Sequence, residues 1–251
     1  MMYLHGRNVL REILKLEPKK LKIKKVLFTD QKNVDRELEE LKEHTAKKGY
    51  RMEVVPPEKL FNLSREKKHQ GVVINLKEFP YTSLETLLDK IMEKKRSLLV
   101  LLDRIQDPHN LGAIIRSSVA AGADGVIITE KASVEVTPAV VKVSTGLVFR
   151  IPIVRVVNMA RTIETLKEEG FWTYAATMEG EPYYSVSFTD KAALIFGNEG
   201  KGIRHLVKKK SDYLVSIPMC EGIDSLNVAA SAAIMLFEYR RQWALREGVN
   251  P

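Results

Sequence analysis

One cysteine, Cys220, stands in a chain of 251 residues, so an intrachain disulfide is impossible and disulfide-stapled scaffolds drop out. Histidine is scarce too: there are 5, and none falls at metal-ligand spacing with another or with Cys220, so no metal is expected. No apolar run approaches the roughly 18 residues that a membrane span requires. The opening Met1-Met2-Tyr3-Leu4-His5-Gly6-Arg7 enters a polar, helix-like pattern without a signal-peptide stretch, so a cytoplasmic protein free of the membrane is expected. Only 14 glycines and 10 prolines accompany 45% hydrophobic residues, which excludes collagen-like and disordered classes and allows one or two domains with full cores.

Positive charge is present in excess. A net charge of +8 and a pI near 9.4 favour a polyanionic partner, because cationic side chains displace the counterions of phosphates. A solvated lysine-rich surface is the plainer explanation. Clustering favours the partner: Lys19, Lys20, Lys22, Lys24 and Lys25 crowd one segment, and Arg65, Lys67 and Lys68 another.

The pattern along the chain divides it into residues 1–76, a small α/β domain, 77–95, a linker and connecting helix, and 96–251, a larger α/β domain. In the first, periodicity predicts helices over 7–16 and 34–48 and strands over 24–29, 51–55 and 71–76. In the last, apolar strands at 98–102, 125–128, 153–157, 172–176, 193–196 and 213–217 alternate with helical segments at 110–121, 138–144, 159–169 and 227–246. Near-continuous apolar strands separated by helices indicate a mostly parallel sheet covered on both faces.

Three loops follow three of these strands, where α/β enzymes place their ligands. The first runs Asp103-Arg104-Ile105-Gln106-Asp107-Pro108-His109-Asn110-Leu111-Gly112; Asp107 or Asn110 can cap the next helix, and Arg116 follows Gly112 by one turn. An arginine there can also simply pair with an acidic neighbour. The second is Phe196-Gly197-Asn198-Glu199-Gly200-Lys201-Gly202, which lacks both the P-loop and the dinucleotide spacings and leaves a tight turn with one carboxylate. The third, Ile217-Pro218-Met219 through Ser225-Leu226-Asn227-Val228-Ala229-Ala230-Ser231, supplies capping types and small residues suited to close packing. Cys220 lacks a histidine partner by motif and reads as an inert thiol; His109 reads equally well as an exposed polar residue.

Taken in order, Asn110-x-Gly112-x-x-x-Arg116, Phe196-Gly197-Asn198-Glu199-Gly200, and Ile217-Pro218-Met219 with Ser225-Leu226-Asn227 resemble the three motifs of the SpoU/TrmH family in the SPOUT superfamily. The segments Leu4-His5-Gly6-Arg7 and His69-Gln70-Gly71-Val72 resemble the substrate-binding domain of RlmB-type rRNA guanosine methyltransferases. The resemblance implies a deep trefoil knot, a homodimer, and S-adenosylmethionine-dependent methylation of a ribose 2′-hydroxyl. It implies RNA and not DNA as the polyanion, with a guanosine of large-subunit (23S) rRNA preferred as target. A tRNA target, or a non-catalytic RNA-binding or ribosome-assembly role, remains the alternative. Carried over by position, Arg116, Glu199 and Asn227 are the catalytic candidates. Thr177, Met178, Gly197, Ile217, Met219 and Leu226 are expected at the cofactor, and Asn110, Arg116 and Ser225 at the RNA.

Overall fold

The computed structural model describes residues 1–17, 20–30 and 35–248; Lys19 of the first lysine cluster and Val34, the expected start of a helix, lie outside the described residues. By its contacts the chain forms two compact units, one of Met1–Pro80 with Val136–Arg150 and one of Tyr81–Glu135 with Ile151–Pro251. The expected division is continuous along the chain, whereas in the structure residues 136–150 group with the first unit.

In the first unit, β1 (Met2–His5), α1 (Arg7–Leu14), β2 (Ile23–Thr29), α2 (Arg36–Lys47), β3 (Met52–Val55), α3 (Pro57–Ser64) and β4 (Val72–Leu76) follow in order. The sheet order is β1-β4-β2-β3, with β4 antiparallel to both neighbours and β2 parallel to β3. All five residues of β4 are buried, which suits a strand flanked on both sides. The sequence pattern misses β1, whose four residues are too few to display a period.

Residues 136–150 contribute α6 (Pro138–Val143) and a 3-10 turn at Leu147–Phe149. Val140, Val141 and Val148 are buried, and Phe149 lies against Phe79 with ring centroids 5.8 Å apart. Arg150 grips Glu12 of α1 through Nε and Nη2, and Lys15 Nζ donates to the same carboxylate at 2.7 Å. Burial pushes the Glu12 carboxyl up, but its two cations prevail and hold it below the usual range. Gly146, at φ +83°, sits so close to α1 that a Cβ there would lie 3.0 Å from Val9 Cα. An apolar helix in isolation does not disclose which sheet it covers, so linear reading cannot assign this segment.

In the second unit the elements are α4 (Leu84–Ile91), β5 (Ser97–Asp103), α5 (Pro108–Ala121), β6 (Gly125–Thr129), β7 (Ile153–Val156), α7 (Met159–Glu168), β8 (Trp172–Pro182), β9 (Lys191–Gly197), α8 (His205–Lys210), β10 (Tyr213–Ser216) and α9 (Val228–Arg246). The six strands are ordered β10-β8-β9-β5-β6-β7 and every pairing is parallel, as the apolar strand pattern implies. All seven residues of β5 are buried, including its terminal Asp103. Leu99, Leu101, Ile127, Val154, Ile163, Leu166 and Ile195 form one core cluster, in which removing a leucine side chain costs about 2–5 kcal/mol.

The helix boundaries follow from chemistry. Asp107 accepts from His109 N at 2.8 Å and Pro108 occupies the first turn of α5, where its missing N–H costs nothing. Gly122, left-handed, closes the same helix. Strand β8 continues beyond the expected 176 to Pro182, and its pairing with β10 shifts register between Leu214 and Val215. Gly180 permits that approach, since a Cβ there would lie 2.6 Å from the Leu214 carbonyl carbon. No described helix is long and apolar enough to cross a membrane.

Two outcomes are expected of the first unit. Gly146→Ala combines a left-handed backbone with backbone contact and is expected to lower stability by about 1–3 kcal/mol in urea denaturation. Glu66 is held at about 2 by its hydrogen bond from Lys142 Nζ and then by Lys68 N. A depressed carboxyl contributes above its unfolded value and loses that contribution as pH falls through the folded value. The melting-temperature gap between wild type and Glu66→Gln should therefore be constant near neutrality and close between about pH 4.5 and 2.

Candidate functional site

The three loops singled out in the sequence open at the carboxyl ends of β5, β9 and β10, and side chains join them. Asn110, in the first turn of α5, donates Nδ2 to Glu199 Oε1 at 2.7 Å. Its Oδ1 accepts from Asn227 Nδ2 at 2.9 Å, and Asn227 Oδ1 in turn accepts from the backbone N–H of Ala229 and Ala230, capping α9. The direction of this chain is imposed at its ends. A carboxylate only accepts and a backbone N–H only donates, so both amides between them have one permitted orientation. Asn110 is buried, which makes each missing partner costly by about 1–3 kcal/mol.

Each amide nitrogen in the chain retains one N–H, since an NH2 has two donors and one is engaged. Ser225 is exposed, and no hydrogen bond of its hydroxyl is found among the described residues. Arg116 lies on the same helix as Asn110, exposed and without an ion pair or hydrogen bond among the described residues. The plainer reading of Arg116, an arginine neutralised by an acidic neighbour, therefore fails. Glu199 faces the side-chain amide of Asn110 in the first turn of α5.

A second set of contacts fixes the loop bearing Glu199. Asn198 and Gly202 exchange backbone hydrogen bonds, Asn198 N to Gly202 O at 3.1 Å and the reverse at 2.8 Å. Asn198 Oδ1 accepts from Gly200 N and Lys201 N, while its Nδ2 donates to Arg104 O at 3.1 Å and Glu199 Oε2 at 3.3 Å. Gly197 is obligatory, because a Cβ there would lie 2.3 Å from Gly202 C and Ile203 N. Beneath the turn, Arg204 clamps Asp103: its N donates at 3.0 Å, Nε at 2.9 Å and Nη2 at 2.6 Å. Asp103 is 0% exposed, and a carboxylate so placed is tolerated where it is paired and hydrogen-bonded, as here. Sequence reading passed over Asp103, Asn198 and Arg204 as site residues. The available signal was a carboxylate closing an otherwise apolar strand, which requires a cation nearby.

The residues expected at the cofactor sit on the same side of the unit. Thr177 and Met178 lie in β8, Gly197 ends β9, and Ile217, Met219 and Leu226 belong to the loop after β10. Met178 is 70% exposed, Ile223 56% and Leu226 39%, and between 217 and 226 one backbone hydrogen bond, Ile223 N to Cys220 O, is found among the described residues. Apolar side chains beside uncommitted amides and carbonyls match a ligand having a flat heterocycle and several polar groups. No group of His, Cys, Asp and Glu suited to a metal is found among the described residues.

The amide chain is directly testable. Asn110→Asp preserves shape but turns the donor facing Glu199 into a second carboxylate. We expect it to destabilise by about 2–3 kcal/mol, more than Asn110→Ala. Urea denaturation of both variants beside wild type near neutral pH checks the order.

Comparison with known proteins places this geometry. Residues 97–237 match the model of the SpoU rRNA Methylase family, and residues 3–82 match that of RNA 2′-O ribose methyltransferase substrate binding. A Bacillus subtilis protein assigned to the TrmH family of tRNA/rRNA methyltransferases, YacO, is 35% identical over 242 residues, 96% of this chain and 95% of its own. The crystal structure of an AdoMet-bound rRNA methyltransferase from Sinorhizobium meliloti superposes with a TM-score of 0.80 at 29% identity, over 96% of this chain and 87% of that one. The SpoU methyltransferase AviRb from Streptomyces viridochromogenes, in complex with AdoMet, gives 0.80 at 27% identity, over 97% and 90%. With three motif loops joined through Asn110 and a family model covering more than half its length, the chain belongs to the SpoU/TrmH family of RNA methyltransferases.

Proposed function

We propose that this protein is a 2′-O-ribose methyltransferase that uses S-adenosylmethionine and acts on ribosomal RNA, with a guanosine of large-subunit rRNA as the target. The observation that carries the reading is the guanidinium of Arg116, without a partner among the described residues, on the helix that also presents Asn110 to Glu199 and Asn227. Ribosomal RNA is favoured because the likeness to the S. meliloti rRNA methyltransferase extends over both units. The trefoil knot and the homodimer of the family resemblance belong to the same proposal. So does the separation of duties between an RNA-gripping N-terminal region and a catalytic remainder.

When bound, the cofactor supplies an electrophilic methyl on a sulfonium. Gly197, Ile217, Met219 and Leu226, with Thr177 and Met178, are the residues that would hold it. The remaining work is to present a ribose hydroxyl whose own proton leaves reluctantly. Arg116 is cationic and cannot act as a base at neutral pH. Its role is to fork onto the phosphate next to the target ribose and, by stabilising the negative charge that grows on the 2′-oxygen as the methyl leaves the sulfonium, to assist loss of the 2′-proton to solvent. Ser225 and the spare N–H groups of Asn110 and Asn227 position the ribose and phosphate, so that attack proceeds from a prealigned arrangement. Glu199 has both oxygens on amide donors and serves to orient the amide chain.

Arg116→Ala should bind S-adenosylmethionine as wild type does by calorimetry, while methyl incorporation into rRNA falls about 10²–10³-fold. Arg116→Lys should also fail, because one ammonium does not reproduce a planar fork. Mapping 2′-O-methylated positions in RNA from cells with and without the protein tests the substrate. A site lost from large-subunit rRNA supports the reading; a site lost from tRNA alone replaces it with the tRNA one.

A further inference from the structure

The turn bearing Glu199 has another side. Arg104, Gln106, Ala132, Asn198, Lys201 and Arg204 line a cavity of about 310 Å³ in the second unit, within the range of small-ligand sites. Its lining holds three cations and no carboxylate. Arg204 is half committed, with Nε and Nη2 on Asp103 and no partner for Nη1 among the described residues. The side chains of Arg104 and Lys201 make no ion pair or hydrogen bond among the described residues. Elsewhere on the chain many cations are paired with carboxylates. Two neighbouring cations without counter-charge repel each other, so an anion in the cavity is favoured on electrostatic grounds. Asn198 ties the cavity to the site, because the same side chain lines it and donates to Glu199 and to Arg104 O.

We propose that this cavity binds a backbone phosphodiester of the substrate RNA, separate from the phosphate assigned to Arg116, with Arg104 and Lys201 as its charged contacts and Gln106 as a neutral donor. This rests on the RNA methyltransferase reading for the identity of the anion. The cavity shares a loop with Glu199, so a phosphate held there would fix the strand near the target nucleotide and set its register at the site. Arg204 is left out of the ligand set because Asp103 already determines its position.

The test uses the full chain and neutral replacements, Arg104→Gln, Lys201→Gln and the double variant. Arg104 has a left-handed backbone, φ 67°, and glutamine introduces no new branching there; Lys201 is exposed on the turn, so the single Lys201 variant serves if the Arg104 one fails to fold. Binding of a fluorescein-labelled single-stranded RNA of mixed sequence is measured by anisotropy across a salt series. The expected result is weaker binding at low salt and a slope of log K against log salt shallower by about 1 in the double variant, with S-adenosylmethionine affinity unchanged by calorimetry. An unchanged slope overturns the proposal. Loss of S-adenosylmethionine affinity also overturns it, by assigning the cavity to the carboxylate of the cofactor. Because the readout is binding, a wild-type protein that failed to methylate rRNA would count against the proposed function while leaving the slope comparison decisive for the cavity.

Discussion

Asn110 makes two hydrogen bonds, to residues 89 and 117 positions further along the chain, and the three loops of the site acquire a common geometry through them. Neither bond is strong in isolation, since each replaces one that water would supply. Their effect comes from burial and from polarity fixed at both ends, by the Glu199 carboxylate and by the first N–H groups of α9. Any slip of one loop relative to the others leaves a buried amide without its partner. The site is thus held in register by a penalty for misplacement more than by an attraction.

Parallel strand ends provide the platform on which that geometry rests. Strand β5, buried along its whole length between β9 and β6, carries Asp103 at its end, and Arg204 returns from the turn after β9 to meet it. The same strand leads through Arg104, whose carbonyl accepts from Asn198, to the start of α5 and Asn110. Two polar contacts from one strand end therefore anchor the turn that bears Glu199, one through the buried charge pair of Asp103 and Arg204 and one from the Asn198 amide to the Arg104 carbonyl. Arg116 has no part in either contact and no ion pair or hydrogen bond among the described residues.

Much of this was legible in the residues. Alternating apolar strands and helices from 98 onward indicated the parallel sheet, and the order of the three motifs pointed to Asn110, Arg116, Glu199 and Asn227. Periodicity cannot show which amide faces which, because Asn110 and Asp107 are both capping types at the start of one helix, and only packing decides that Asp107 caps while Asn110 reaches across. Strand β1 escaped notice because four residues carry no period, and the continuation of β8 to Pro182 because its polar stretch is held by a register shift with β10. The pairing of Asp103 with Arg204 spans 101 residues, and sequence alone marks only the carboxylate that needs a partner.

The first unit is assembled from two separate stretches of chain, 1–80 and 136–150. The polypeptide therefore passes from one unit to the other three times. Removal of residues 1–80 would not leave the remainder intact, because it would strip Val140, Val141 and Val148 of surfaces that bury them. Grafting the N-terminal piece onto a related enzyme would meet the same obstacle unless the later segment travelled with it. Exchange of the first unit among such proteins is then constrained to swaps that replace both stretches together.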